Sequence, residues 1–139
     1  YLVAGFTGNV LSFVLSPKIS LGASTAVFGL IAAEAVFIYR NRKLFGDRAK
    51  GMLINLGVVI LVNLMLGLQP GIDNWGHLGG LAGGLLFAWN AGPLFKMSVA
   101  TDAINYQLLD SHGRKEVIWG AMLSAGLFLA VAIGRFLAG

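Results

Sequence analysis

Apolar residues run along this chain in five blocks, roughly 1–15, 21–39, 51–68, 76–95 and 116–138, and most polar residues fall between them. Crossing ~30 Å of hydrocarbon takes about 20 helical residues. The second, third and fourth blocks approach that length, the fifth reaches it with ease, and the first is shorter. Each block predicts a membrane helix, so the expected fold is an all-α, polytopic transmembrane bundle over residues 1–139. Many glycines lie inside the blocks. In water they would weaken a helix, but between helices in lipid small residues let backbones approach closely. Gly76, Gly80 and Gly84 recur at every fourth position, with Gly79 and Gly83 alongside, and predict a smooth face for tight packing.

Composition agrees with this pattern. Hydrophobic residues make up 57% of the chain and charged residues only 12%, which excludes an ordinary soluble domain. Mean hydropathy is +0.79. There is no cysteine, so disulfides and thiolate metal sites are excluded. The net charge of +4 does not indicate a nucleic-acid partner, because the basic residues sit in short loops between apolar blocks. The turn 40–50 holds Arg40, Arg42, Lys43, Arg48 and Lys50, and the connection 96–116 adds Lys96, Arg114 and Lys115. The opposite loops hold Lys18 alone. By the positive-inside rule 40–50 and 96–116 are cytoplasmic. The second block then runs inward from Ser24 and the fourth runs inward from His77, so both residues lie toward the extracytoplasmic side of an integral, multi-pass membrane protein.

A serine and a histidine at one depth can do acyl chemistry. A hydroxyl is a weak nucleophile until a base takes its proton, and histidine is the usual base near neutral pH. Gly22 and Ala23 bring the loop into the helix without bulk beside Ser24. The unpaired N–H groups at a helix start can hold a developing oxyanion. Phe28, one turn below Ser24, can form a wall for the His77 ring, and Gly76, Gly79 and Gly80 clear space around it. Each feature also has a plainer meaning. A serine there is often a helix cap, a lone intramembrane histidine often makes a structural hydrogen bond or serves a proton path, and glycine clusters pack helices. Their coincidence in one chain is the specific signal.

The run Gly22-Ala23-Ser24-Thr25-Ala26-Val27-Phe28-Gly29-Leu30, followed by Asp73-Asn74-Trp75-Gly76-His77-Leu78-Gly79-Gly80, resembles the rhomboid intramembrane serine proteases. Tyr1-Leu2, Gly5, Gly8-Asn9 and Ser12 through Pro17 resemble the rhomboid helix that precedes the serine loop, and the likeness covers about residues 1–92. The last block is similar to the extra C-terminal helix of seven-helix rhomboids. The resemblance implies Ser24 as nucleophile and His77 as general base, a dyad without an acidic third member, with Phe28 packed on the histidine ring. Gly22 matches the first glycine of the family's Gly-x-Ser-Gly motif, whereas Thr25 stands at its fourth position, and altered specificity is expected there. It implies transmembrane protein substrates in the lipid bilayer, and no metal or cofactor. The family's earlier helix, whose His and Asn complete the oxyanion hole, and its external loop with a Trp-Arg motif have no counterpart here. The chain opens Tyr1-Leu2-Val3-Ala4 without an initiator Met or leader and reads as a piece that starts inside a helix. Those parts are expected upstream, and this piece alone is expected to be inactive.

The remaining polar residues carry bland expectations. Asp73 is expected to cap its helix rather than orient His77, and Asn74 to shape the turn. Glu34 and Asn55, at similar depth, are expected to pair. Asn63 and Asn90 are expected to bond between helices, and His112 to be solvated. Trp75, Trp89 and Trp119 read as interfacial anchors. The rival of the protease is a catalytically inactive scaffold that binds membrane helices, which would be expected to have lost Ser24 or His77. A channel or transporter would want paired broken helices, and no internal repeat is visible. The charge asymmetry makes a direct prediction: cysteines placed in the loops around Gly46 and around Gly71 should react with a membrane-impermeant reagent from opposite faces, the first from the cytoplasm. Reaction from one face would break the argument that returns Ser24 and His77 to the same side.

Overall fold

A computed structural model describes residues 1–16, 22–99 and 106–138. Lys18, counted above among the external charges, lies outside the described residues. Among the described residues six helices form: α1 (Leu2–Leu15), α2 (Ser24–Arg40), α3 (Arg42–Phe45), α4 (Arg48–Leu66), α5 (Asn74–Ala91) and α6 (Arg114–Leu137). The five expected blocks are all present, so the helical-bundle expectation holds. Two ends differ. The fourth block stops at Ala91 rather than 95, because Gly92 turns to an extended backbone ahead of Pro93. The connection 96–116 is not plain loop but carries a two-stranded antiparallel hairpin, β1 (Phe95–Val99) and β2 (Tyr106–Asp110), with Phe95 opposite Asp110 and Met97 opposite Leu108. Inside the basic turn, α3 ends at Gly46, whose φ of 55° is a left-handed conformation that glycine adopts without strain.

The core is a three-helix seam of α1, α2 and α5, and small residues make up most of it, with Val10, Phe28, Val36 and Ile38 buried beside them. Ala4, Thr7, Gly8, Thr25, Ala26, Gly29, Ala32, Gly80, Gly84 and Ala88 are buried. The expected glycine face resolves into two. Gly76, Gly80 and Gly84 meet α2, where a Cβ built at Gly80 would strike the Thr25 carbonyl and one at Gly84 the Gly29 backbone. Gly79 and Gly83 meet α1, where the Thr7 hydroxyl, fully buried, donates to the Gly79 carbonyl oxygen at 2.9 Å. Large apolar side chains point outward instead, among them Phe13, Leu61, Met65, Trp119 and Phe136. On α4 only Ala49 is buried. By length and composition α4 and α6 are each able to cross a membrane.

At the other end Asn41 fastens the hairpin. This buried side chain donates from Nδ2 to the carbonyls of Phe37 and Pro93, each at 2.9 Å, and accepts from the Phe95 N–H at 2.8 Å. Asp110 Oδ1 accepts from the N–H groups of Leu94 (2.9 Å) and His112 (3.0 Å). These backbone donors, His112 first, hold the Asp110 carboxyl below its ordinary pKa.

Two outcomes follow from these contacts. Gly84→Ala should force α5 away from α2 and cost about 1–3 kcal/mol, the usual penalty of overpacking, read as a lower midpoint in denaturant or thermal unfolding. A depressed Asp110 pKa stabilises the folded hairpin at every pH above the ordinary carboxylate value. That contribution fades as pH falls through the lower, folded value. Amide exchange of the hairpin should therefore accelerate in acid relative to α5, and Asp110→Ala should remove most of that acid dependence.

Candidate functional site

Ser24 is the first residue of α2, and His77 lies in the first turn of α5. The approach to α2 is open: Gly22 and Ala23 are exposed, and Ala23 occupies the N-cap without a side-chain hydrogen bond. A side chain grown from Gly22 would start 3.5 Å from the Ser24 hydroxyl. The start of α5 is set by Asp73, whose Oδ1 accepts from the Gly76 N–H at 3.0 Å. That is the cap expected of it.

The two ends meet through glycine. Gly76 leaves room for the Thr25 hydroxyl, since a built Cβ there would sit 3.0 Å from it, and Gly80 lies on the Thr25 carbonyl. Ser24 Oγ and His77 Nε2 are consequently 2.9 Å apart across 53 residues of sequence. Phe28 stacks on the imidazole with centroids 4.3 Å apart and planes inclined by 21°. Phe28 and His77 are buried at 5% and 6% exposure, while Ser24 is exposed. A hydroxyl open to solvent thus faces a ring nitrogen of a buried, clamped imidazole. Nucleophilic catalysis needs that arrangement of nucleophile and base. The first N–H groups of α2 beside Ser24 have no intrahelical carbonyl to pair with.

Thr25 is buried, with its methyl against Gly8 of α1 and its hydroxyl beside Gly76, so it fills the seam behind the serine. Asn74 does more than shape a turn. Its Oδ1 lies 3.3 Å from His77 Nδ1, and its Nδ2 donates to the Leu64 carbonyl of α4 at 3.0 Å.

Other polar residues depart from expectation too. Glu34 and Asn55 are both exposed, and no hydrogen bond joins them among the described residues. Asn63 and Asn90 donate to carbonyls of their own helices, Val59 and Leu86, each at 2.8 Å. Their outward direction leaves the backbone one turn back as the nearest acceptor. His112 is half-buried rather than solvated, with Nδ1 enclosed and without a partner and Nε2 3.5 Å from Arg40 Nη2. Arg40 also donates to the Trp89 carbonyl and lies over the Trp89 ring at 5.7 Å. A cavity of about 540 Å³, lined by Ala33, Phe37, Ala88, His112 and Val117, sits at this end of α2 and α5, away from Ser24. No group of His, Asp and Glu able to hold a metal ion occurs among the described residues.

Comparison with known proteins bears on both ends of this picture. A family model described as the Rhomboid domain matches residues 1–93. The chain is 36% identical over 135 residues to Rhomboid protease GluP of Bacillus subtilis (strain 168), covering 96% of this chain and 22% of that protein. It is 40% identical over 90 residues to RHOMBOID-like protein 4 of Arabidopsis thaliana, covering 64% and 23%. It is also 28% identical over 139 residues to Inactive rhomboid protein 2 of Homo sapiens, covering 99% and 15%. The chain thus spans less than a quarter of the length of each. No solved structure gives a significant match.

Proposed function

We propose that this chain, which belongs to the rhomboid family, carries the catalytic pair of an intramembrane serine endopeptidase. The chain is part of an integral membrane protein. The observation that carries the catalytic reading is the 2.9 Å contact of Ser24 Oγ with His77 Nε2 under the stacked Phe28 ring. The likeness to a relative named a protease supports it.

The chemistry follows from that pair. Ser24 Oγ attacks the scissile carbonyl carbon as His77 Nε2 takes the hydroxyl proton. The imidazolium then gives this proton to the leaving amine, and an acyl-serine remains. Water attacks the acyl carbon, His77 takes the water proton, and it returns a proton to Ser24 as the ester breaks. The Ser24 backbone N–H at the positive end of α2 supplies a donor to the oxyanion. Gly22, Ala23, Gly76 and Gly80 shape this end by leaving it open or allowing the helices to close. No step needs a cofactor.

The substrates are transmembrane segments of other proteins. A spanning helix bonds its own carbonyls internally, so cleavage needs a stretch that unwinds near the extracytoplasmic boundary, where the charge asymmetry places Ser24. The second reading is an inactive scaffold that binds such helices, favoured by the likeness to Inactive rhomboid protein 2.

One experiment separates the two. In the intact protein, Ser24→Ala and His77→Ala should each abolish cleavage of a transmembrane reporter while leaving membrane insertion and unfolding behaviour unchanged. A fluorophosphonate should label the parent and not Ser24→Ala. A parent that binds the reporter helix but neither cleaves it nor takes up the probe is a scaffold.

A further inference from the structure

We propose that Asn74 sets the tautomer of His77, and so decides which ring nitrogen presents a lone pair to Ser24. This positioning role rests on the hydrolase reading above. A neutral imidazole carries one N–H and one lone pair. Nε2 can take the serine proton only while the ring's own proton sits on Nδ1. Phe28 stacks on the ring and fixes its plane, but a stacked phenyl does not distinguish the two nitrogens. The group that meets Nδ1 is the Asn74 side-chain oxygen at 3.3 Å.

An amide has one end that only accepts and one that only donates, and shape alone does not tell them apart. Here the second contact decides. The other end of the Asn74 amide is 3.0 Å from the carbonyl oxygen of Leu64, in the last turn of α4. A carbonyl only accepts, so the NH₂ must face Leu64 and the oxygen must face His77. An oxygen that only accepts requires the proton on His77 Nδ1. Nε2 is left as the acceptor, 2.9 Å from Ser24 Oγ. The direction of one backbone carbonyl on α4 is thereby passed through two side chains to the serine.

The surroundings hold the amide in this pose. Gly67, the C-cap of α4, faces it so closely that a built Cβ would overlap the Asn74 side chain, with Cγ at 2.8 Å and Nδ2 at 3.1 Å. Any larger residue would push the amide off one of its two partners. The neighbouring acid serves another end: Asp73 Oδ1 accepts from the Gly76 N–H and caps α5. Asn74 orients the ring as an acidic third member would, without placing a second charge against the imidazole.

The test reads the ring proton directly. Full-length protein with ¹⁵N-labelled histidine, in micelles and without substrate, gives long-range ¹H–¹⁵N spectra that report which ring nitrogen carries hydrogen, with His77 assigned by comparison with His77→Gln. The parent should hold the proton on Nδ1. Asn74→Asp keeps an oxygen toward Nδ1 while losing the donor to Leu64, and should hold it there too. Asn74→Leu keeps the size and loses both contacts; the Nε2–H form should appear, with kcat lower by roughly tenfold, the worth of one orienting hydrogen bond, and KM unchanged. A parent with its proton on Nε2, or an Asn74→Leu protein with the parent's spectrum, overturns the proposal. Because the spectra need no turnover, they judge Asn74 even if the Ser24→Ala result removes the hydrolase reading.

Discussion

Backbone-to-backbone contact between α2 and α5 is the constraint on which the rest of the structure depends. Thr25 lies on Gly80 and Gly29 on Gly84, contacts that step by four residues along both helices. Two helices touching at matched intervals run alongside each other in a fixed register. Ser24, one residue before Thr25, and His77, three before Gly80, then face each other at the start of the pair. Their hydrogen bond is a consequence of that register, not the cause of it. One part-buried polar contact is worth little against the packing of whole helix faces, and in lipid such packing rests on close van der Waals approach and internal hydrogen bonds rather than on the hydrophobic effect.

The same constraint explains what lies elsewhere. With three helices joined largely through glycine, alanine and threonine, most bulky side chains face outward and coat α4 and α6, while Phe28, Val36 and Ile38 are buried on α2. Thr7 seals α1 to α5 by a buried hydrogen bond to a backbone oxygen. At the far end the polar work passes to Asn41, which satisfies two carbonyls and one N–H where α2, Pro93 and the hairpin converge. The serine end is open and the hairpin end is laced to the backbone. At the serine end Asn74 links the histidine to the Leu64 carbonyl of α4.

Sequence reading recovered what periodicity and residue type encode. Hydropathy located the helices, and glycine at every fourth position announced the tight face of α5. Ser24, His77 and Phe28 could be named because two motifs coincide in one chain and resemble those of a known family. What escaped depends on direction around a helix axis. Glu34 and Asn55 were matched by depth, which 1.5 Å per residue supplies, but both face outward. Asn63 and Asn90 were given partners across helices for the same reason and bond their own helices instead. The hairpin was hidden because the connection 96–116 alternates too briefly to stand out from a loop. A helix turns adjacent residues about 100° apart, so the Thr25 side chain enters the seam behind the serine, a direction that the motif alone does not show. Asn74 looked like a turn residue because its two partners, Leu64 and His77, come from either side of a bend that the sequence does not draw.

The smallness of the core has a consequence for entropy. A packed leucine or methionine gives up rotamer freedom when it is buried, whereas glycine and alanine have none to lose. Apart from side chains such as Phe28, Val36 and Ile38, assembling α1, α2 and α5 therefore orders mostly backbone. The same economy leaves the seam without slack. A core of long side chains can absorb a change by moving to other rotamers, but Gly80 and Gly84 rest on main-chain atoms, which have no alternative positions. Any added bulk there is transmitted undiminished as a displacement of one whole helix against the other, and the distance between Ser24 and His77 is its gauge.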